Sequence, residues 1–366
     1  MKSKVLPLIL LASLVILSVT VSCQFASSLL GQAETPAPAV AITVAPPDTG
    51  VPQQPSEATE PPGDESAQPT EPTAPQATEA GSDQAAPTSP PAASSSQAGP
   101  CTSQDSCVED GYFLLARPVG GAGRKTIDIS DRFGSYRQRT QDTNHGANFL
   151  NSTGTPVVAA ADGKVVVAGD DSRTPYALRT NTYGNLVILK HDLPGISQPV
   201  YTLYANLSQV SVKVKDQVKT GQEIGLVGMS GRVTGSTLHF EVRLGENTYQ
   251  DVRNPELWLE LLPDETGQPQ GALAGQMVDS NGNYVQISNI VLEQLAGPGQ
   301  PALKTLYLKT YAEKRLMGLS PWEESFAMGD LPAGDYQISF YWQNKLQQRI
   351  VKIKPGKLTL VNFQLQ

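Results

Sequence analysis

Beyond its carboxylates, this 366-residue chain has few groups suited to metal ligation or proton transfer near neutral pH. It has three histidines (His145, His191 and His239) and three cysteines (Cys23, Cys101 and Cys107). A catalytic zinc needs three protein ligands from His, Cys or carboxylate, plus a water. A general base needs a group that titrates near the working pH. Cys101 and Cys107 lie close together, and in an exported chain such a pair reads as a disulfide. Two free thiols are the alternative. No other His or Cys lies near enough in sequence to complete a zinc site around them.

The histidines fall among separated blocks between Asp131 and Pro255. These include NHGANFL, GTPVVAAADGKVV, YGNLVIL, VYTLY, GQEIGLVGMSG and LHFEVR. In order and approximate spacing they resemble the lysostaphin-type (LytM-like) zinc endopeptidases, which cut peptide cross-bridges in bacterial cell walls. The resemblance implies an antiparallel sheet with a groove along it. It also implies two zinc ligands around Gly146, a third in LHFEVR, and two catalytic histidines. The ligand positions are Asn144, Asn148 and His239, and the catalytic positions are Asn206 and Thr237. Only His239 has the family's residue type.

Neutral carboxamides are poor partners for zinc, and neither Asn206 nor Thr237 can act as a base at neutral pH. The residues therefore point to a pseudoenzyme with no cofactor. His145 stands one residue from a ligand position. In an extended segment that offset turns its side chain to the opposite face; in a loop the argument weakens, and an unconventional zinc site stays open.

The elements that must position these residues read as strands. Candidate runs are 157–160, 164–168, 186–189, 200–204, 210–214, 223–227 and 238–244. They are rich in Val, Ile and Tyr and are punctuated by Gly, Asn and Asp. Their spacing near ten residues suggests an all-β sandwich or barrel. Residues 170–182 read as a long loop beside the groove, and Trp258 as a packed cap. We assign residues 128–262 to this peptidase-like domain and 101–127 to a lead-in.

Residues 264–366 read as a second unit. DSNG at 279–282 is a turn signal, and 337–342 and 358–363 alternate with the period of half-buried antiparallel strands. With FAMGDLPAGDY, the segment resembles the small β-sandwiches of carboxypeptidase-regulatory and Ig-like type. That resemblance implies spacing or interaction, with Tyr341 and Trp342 in the core. The fold class expected is thus all-β: a lysostaphin-like antiparallel sheet domain and a small β-sandwich, preceded by a disordered linker.

The chain begins with Lys2 and Lys4, then an apolar run, then Ser22-Cys23. This is a secretory signal pattern over residues 1–23, and Cys23 resembles a bacterial lipoprotein processing site. Ordinary cleavage or an uncleaved anchor are the alternatives. Residues 24–100 hold 15 of the 29 prolines, nine acidic residues and no Lys or Arg. Such a segment cannot bury enough apolar surface to offset its ordering entropy, so it reads as a disordered tether.

With that linker set aside, residues 101–366 carry a net charge of −1 out of −8. Nucleic-acid binding has no electrostatic support. Three functions follow. The first is an exported, membrane-anchored envelope protein that binds peptidoglycan peptide or regulates a partner cell-wall hydrolase. The second is an active zinc endopeptidase with unusual ligands. The third is a structural surface lipoprotein. Asn for Asp is nearly isosteric, and such losses spare the groove's shape, which favours the first.

Overall fold

The computed structural model describes residues 106–137, 142–297, 300–316 and 322–366. The signal, Cys23, the linker and Cys101 lie outside them. Among the described residues the strands, in chain order, are β1 Cys107–Glu109, β2 Tyr136–Arg137, β3 Asp142–Thr143, β4 Ala147–Leu150, β5 Pro156–Val158, β6 Gly163–Asp170 and β7 Asn185–His191. They continue with β8 Val200–Val210, β9 Gln217–Val218, β10 Glu223–Val227, β11 Thr237–Leu244 and β12 Val252–Arg253. The last seven are β13 Gln270–Asp279, β14 Ile290–Leu295, β15 Ala302–Leu308, β16 Phe326–Pro332, β17 Gly334–Trp342, β18 Lys345–Ile353 and β19 Leu358–Leu365. Two short 3₁₀ turns, Pro255–Leu257 and Lys314–Leu316, are the helical elements. The fold is all-β.

The first module is built on a nine-stranded antiparallel sheet in the order β12-β11-β8-β7-β6-β9. β4 lies against β11, and β10 lies against both β8 and β5. This is one continuous sheet, and the sandwich or barrel suggested by strand spacing does not form here. β8 is buried on both faces along most of its length, which is why VYTLYANL reads as a nearly continuous apolar run. Leu207 and Tyr204 face the main core, while Leu203 and Ala205 face a smaller cluster with Tyr183. Val210–Val214 is not a separate strand: β8 runs through to Val210. Trp258 is buried in the main core.

The second module is a sandwich of two four-stranded sheets, β1-β19-β13-β16 and β15-β14-β17-β18. All its pairs are antiparallel except β13 with β19, which is parallel over eight residues. Along β17, Tyr336, Ile338 and Phe340 point into the core with Phe363 and Met277. Tyr341 alternates outward and is 70% exposed. The expectation that it is a core residue is therefore wrong, for the reason the period of two itself supplies. Trp342 packs half-buried against the core's edge. Gly282 donates to the Asp279 carbonyl, closing the turn read from DSNG.

The lead-in does more than precede the first module. β1 pairs with β19 of the sandwich, so from Cys107 onward the chain leaves the sandwich, builds the first module, and returns. Cys107, on that strand, is disulfide-bonded. Arg117 of the lead-in pairs with Asp330 of the sandwich at 2.7 Å, and Glu256, itself paired with Arg132 inside the first module, accepts from the Gly329 N–H of the sandwich at 2.9 Å.

Candidate functional site

β4 and β11 pair with Asn148 directly opposite His239. Gly146 makes that approach possible. A Cβ there would lie 2.3 Å from the Phe240 carbonyl oxygen and 2.9 Å from His239 Cε1. The glycine of NHGAN thus lets the segment carrying Asn144 and Asn148 lie flat on β11.

The His239 ring is bonded on both sides. Its Nδ1 is 2.8 Å from Asn148 Oδ1 and its Nε2 is 3.1 Å from Glu241 Oε1. Asn148 is oriented by its own amide, which donates to Asp131 Oδ2 at 2.7 Å. Asn144 donates to the Asp131 carbonyl at 2.6 Å, and its oxygen accepts from the Gly146 N–H at 3.3 Å. Each carboxamide is thereby committed to the protein, and neither ring nitrogen is left with an open direction.

Beneath His239, the period of two places Glu241 and Arg243 on the same strand face. Both are fully buried. Arg243 Nε and Nη2 lie 2.9 and 2.7 Å from Glu241 Oε2, and Tyr183 donates its hydroxyl to Glu241 Oε1. Burial alone would push the Glu241 carboxyl up. The Arg243 guanidinium and the His239 hydrogen bond outweigh it and hold the carboxyl below its ordinary range. Burial and the Glu241 charge raise the Tyr183 phenol well above its own.

Asn206 sits at a β-bulge. Across β7 and β8, Asn185 pairs with Leu207 but Leu186 pairs with Ala205, so Asn206 has no cross-strand partner. Its φ is +64°, a conformation that Asn and His adopt more readily than most residues. A bulge re-aims one side chain of a strand, and here it turns Asn206 toward the cleft. The Asn206 amide donates to the Tyr183 and Ser230 carbonyls at 3.1 and 2.9 Å. Its Oδ1 is buried without a hydrogen-bond partner. Thr237, at the start of β11, donates to the Phe149 carbonyl at 3.3 Å.

Asn144, Asn206 and His239 line one cleft together with Ala177, Leu178, Arg179 and Thr182 of the long loop. Asn148 and Thr237 line an adjoining cavity, which shares Arg232 and Val233 with the first. The five positions taken from the family resemblance are thus arranged along one groove. His191 lies elsewhere, bonded to the Asp162 carbonyl and the Thr202 hydroxyl.

His145 is the histidine that a simple alternation rule misplaces. It lies in the turn between β3 and β4, not on the sheet's far face, and it lines the same cleft. Its ring stacks on Tyr249 with centroids 3.8 Å apart, and its Nε2 accepts from Arg315 Nη2 at 3.1 Å. Burial, more than the nearby charges, lowers its pKa to about 4. Glu241 and Arg243 could have been read from the alternation in LHFEVR. Asp131, Tyr249 and Arg315 left no local signal.

The chemistry of these donors does not fit a catalytic zinc. Two carboxamides tied to Asp131, the Gly146 N–H and His239, with one imidazole bonded at both nitrogens, are not the usual set of His, Cys and carboxylate. Among the described residues, no group of three or more His, Cys, Asp or Glu is close enough together to hold a metal ion.

The model of Peptidase family M23 matches residues 142–252. The chain carries a LytM-type domain of that family, and the matched segment holds Asn144, Asn148, Asn206, Thr237 and His239. The cell division protein DipM of Caulobacter vibrioides is 35% identical over 148 residues, covering 40% of this chain and 21% of DipM. The peptidoglycan DD-endopeptidase ShyB of Vibrio cholerae is 39% identical over 99 residues, 27% of this chain and 20% of that protein. The murein hydrolase activator NlpD of Salmonella typhimurium is 36% identical over 126 residues, 34% of this chain and 28% of NlpD. The matches thus span between 20% and 28% of these relatives' length. The catalytic domain of lysostaphin from Staphylococcus simulans is 29% identical, with 36% of this chain and 88% of that domain covered and a TM-score of 0.30.

Proposed function

We propose that the M23 domain is a non-catalytic binding module of an exported cell-envelope protein, and that its groove takes peptide of the cell wall. The observation that carries this reading is the hydrogen bond between Asn148 and His239. Two positions that the family uses for a metal hold one another, and the groove around them keeps its buried polar lining. Asn206 and Thr237 offer no group to activate water. The relatives named as acting on peptidoglycan or murein support the class of ligand.

A second reading, regulation of a partner cell-wall hydrolase, draws on the match to a relative named as a murein hydrolase activator. Co-sedimentation with purified peptidoglycan sacculi separates the two. Direct binding without lysis supports the groove reading. No binding alone, but stimulated lysis when a murein hydrolase is added, supports the second.

The same proposal places the protein outside the cytoplasmic membrane, held by lipid on Cys23. Cys23→Ser should release it from membranes; unchanged association would refute the lipid anchor. The loss of metal is tested by reversal. Asn144→His with Asn148→Asp should raise zinc affinity, since His239 is already in place. Hydrolysis should further require Asn206→His and Thr237→His.

A further inference from the structure

The cleft is lined by the first module alone, and the second module bears on it through His145. Residues 311–316 of the sandwich module reach across to the groove. Ala312 donates its N–H to the Gly134 carbonyl at 2.7 Å, and Tyr311 packs edge-on against Phe133. From this anchored turn, Glu313 accepts from the Thr143 hydroxyl and from Arg315 Nε at 2.5 Å. The Arg315 guanidinium lies 5.3 Å from the centre of the Tyr249 ring and donates to His145 Nε2.

That last bond fixes the histidine's tautomer. A guanidinium only donates, so Nε2 must accept and the neutral ring carries its proton on Nδ1. His145 Nδ1 is buried and has no hydrogen-bond partner. Neither does Asn206 Oδ1, whose amide is committed to two carbonyls. Both residues are 2% exposed, and both line the cleft. One cleft thus holds an unmatched donor and an unmatched acceptor, which buried polar groups seldom are. At its margin Leu178 is 62% exposed.

We propose that the second module is part of the binding site: Arg315 is a positioning residue that holds His145 as an Nδ1–H donor. His145 and Asn206 then recognise the backbone amides of an extended peptide, one giving to a carbonyl and the other taking from an N–H. This rests on the groove reading above and adds to it a named donor, a named acceptor and a dependence on the sandwich.

The test uses the full-length chain with ¹⁵N-labelled histidine, in which only three rings contribute signals. Long-range proton–nitrogen correlation should show His145 protonated at Nδ1. Arg315→Ala should shift it toward the other tautomer, and Arg315→Lys, which keeps a donor, should restore it in part. Binding is read with disaccharide–stem-peptide fragments released from peptidoglycan by a muramidase. His145→Phe keeps the stack on Tyr249 and removes the donor; it should weaken binding about tenfold, the cost of one unmade buried hydrogen bond. Arg315→Ala should weaken it by a smaller factor and Arg315→Lys by less still. Wild-type His145 protonated at Nε2, or unchanged affinity in a folded His145→Phe, overturns this inference and leaves the groove reading standing. A wild-type chain that binds no fragment overturns both.

Discussion

The two modules handle buried polarity in opposite ways. In the sandwich, the space between the sheets is filled by Tyr336, Ile338, Phe340, Phe363 and similar side chains. In the M23 domain, neighbouring strands β4, β8 and β11 and the turn before β4 bury His145, Asn148, Asn206, His239, Glu241 and Arg243. Burying such groups costs free energy unless each finds a partner. Most do here; of the five buried side-chain atoms without a hydrogen-bond partner among the described residues, His145 Nδ1 and Asn206 Oδ1 share one cleft, and Arg132 Nε, Arg253 Nε and Glu256 Oε1 lie outside it. A core assembled for stability alone has no reason to set an unmatched donor and an unmatched acceptor in one cleft. On the proposed reading, a ligand in this groove supplies the two missing partners.

Substitutions at matched depth would break or sharpen this contrast. Glu241→Ala leaves the Arg243 guanidinium buried without its carboxylate. It should destabilise the protein by about 3–5 kcal/mol, read by chemical denaturation; a loss below about 1 kcal/mol would mean that water replaces the pair. Phe340→Ala in the sandwich should cost about 3–4 kcal/mol by lost transfer energy and a cavity. The two sites then lose similar stability for opposite reasons, and only the Glu241 change should also alter the groove.

Glu324 gives a smaller effect with a definite sign. Burial raises its pKa to about 7, against the opposing Arg253 charge and the Tyr311 hydroxyl bond. The folded state therefore binds the proton more tightly than the unfolded chain does. The favourable contribution is present in full below the unfolded value of about 4.3 and is lost as pH rises through about 7. Stability should fall between about pH 4.5 and 7, and Glu324→Gln should flatten that slope. Glu241 acts in the other direction: its lowered pKa stabilises the fold above the unfolded value and is lost in acid. A slope unchanged in Glu324→Gln would assign it to other groups. The smallest effect expected is at Tyr341→Ala, one residue from Phe340 but facing solvent, where stability should stay within about 0.5 kcal/mol.

The difference between Phe340 and Tyr341 also shows what was legible in the sequence. Alternation located β17 and its neighbours, since a half-buried strand leaves a period of two. Assigning Tyr341 to the core ignored the phase of that same period. The first module's strands could be read from their Val, Ile and Tyr content. Their closure into one sheet could not, because strand spacing alone does not distinguish a sheet from a sandwich. The positions Asn144, Asn148, Asn206, Thr237 and His239 were legible because their blocks keep the family's order. Glu241 and Arg243 lay in the same strand pattern unread. Arg315 reaches the groove from 170 residues beyond His145, and contacts across such separations leave no local pattern. The β1–β19 pairing escaped for the same reason.

The most direct test of the central claim is to measure zinc content, sacculus binding and cross-bridge hydrolysis on one preparation of the full-length chain. A non-catalytic groove should bind sacculi with neither stoichiometric zinc nor release of cleaved peptides. One tightly held zinc per chain, together with cleavage, would contradict it and make this domain a working endopeptidase.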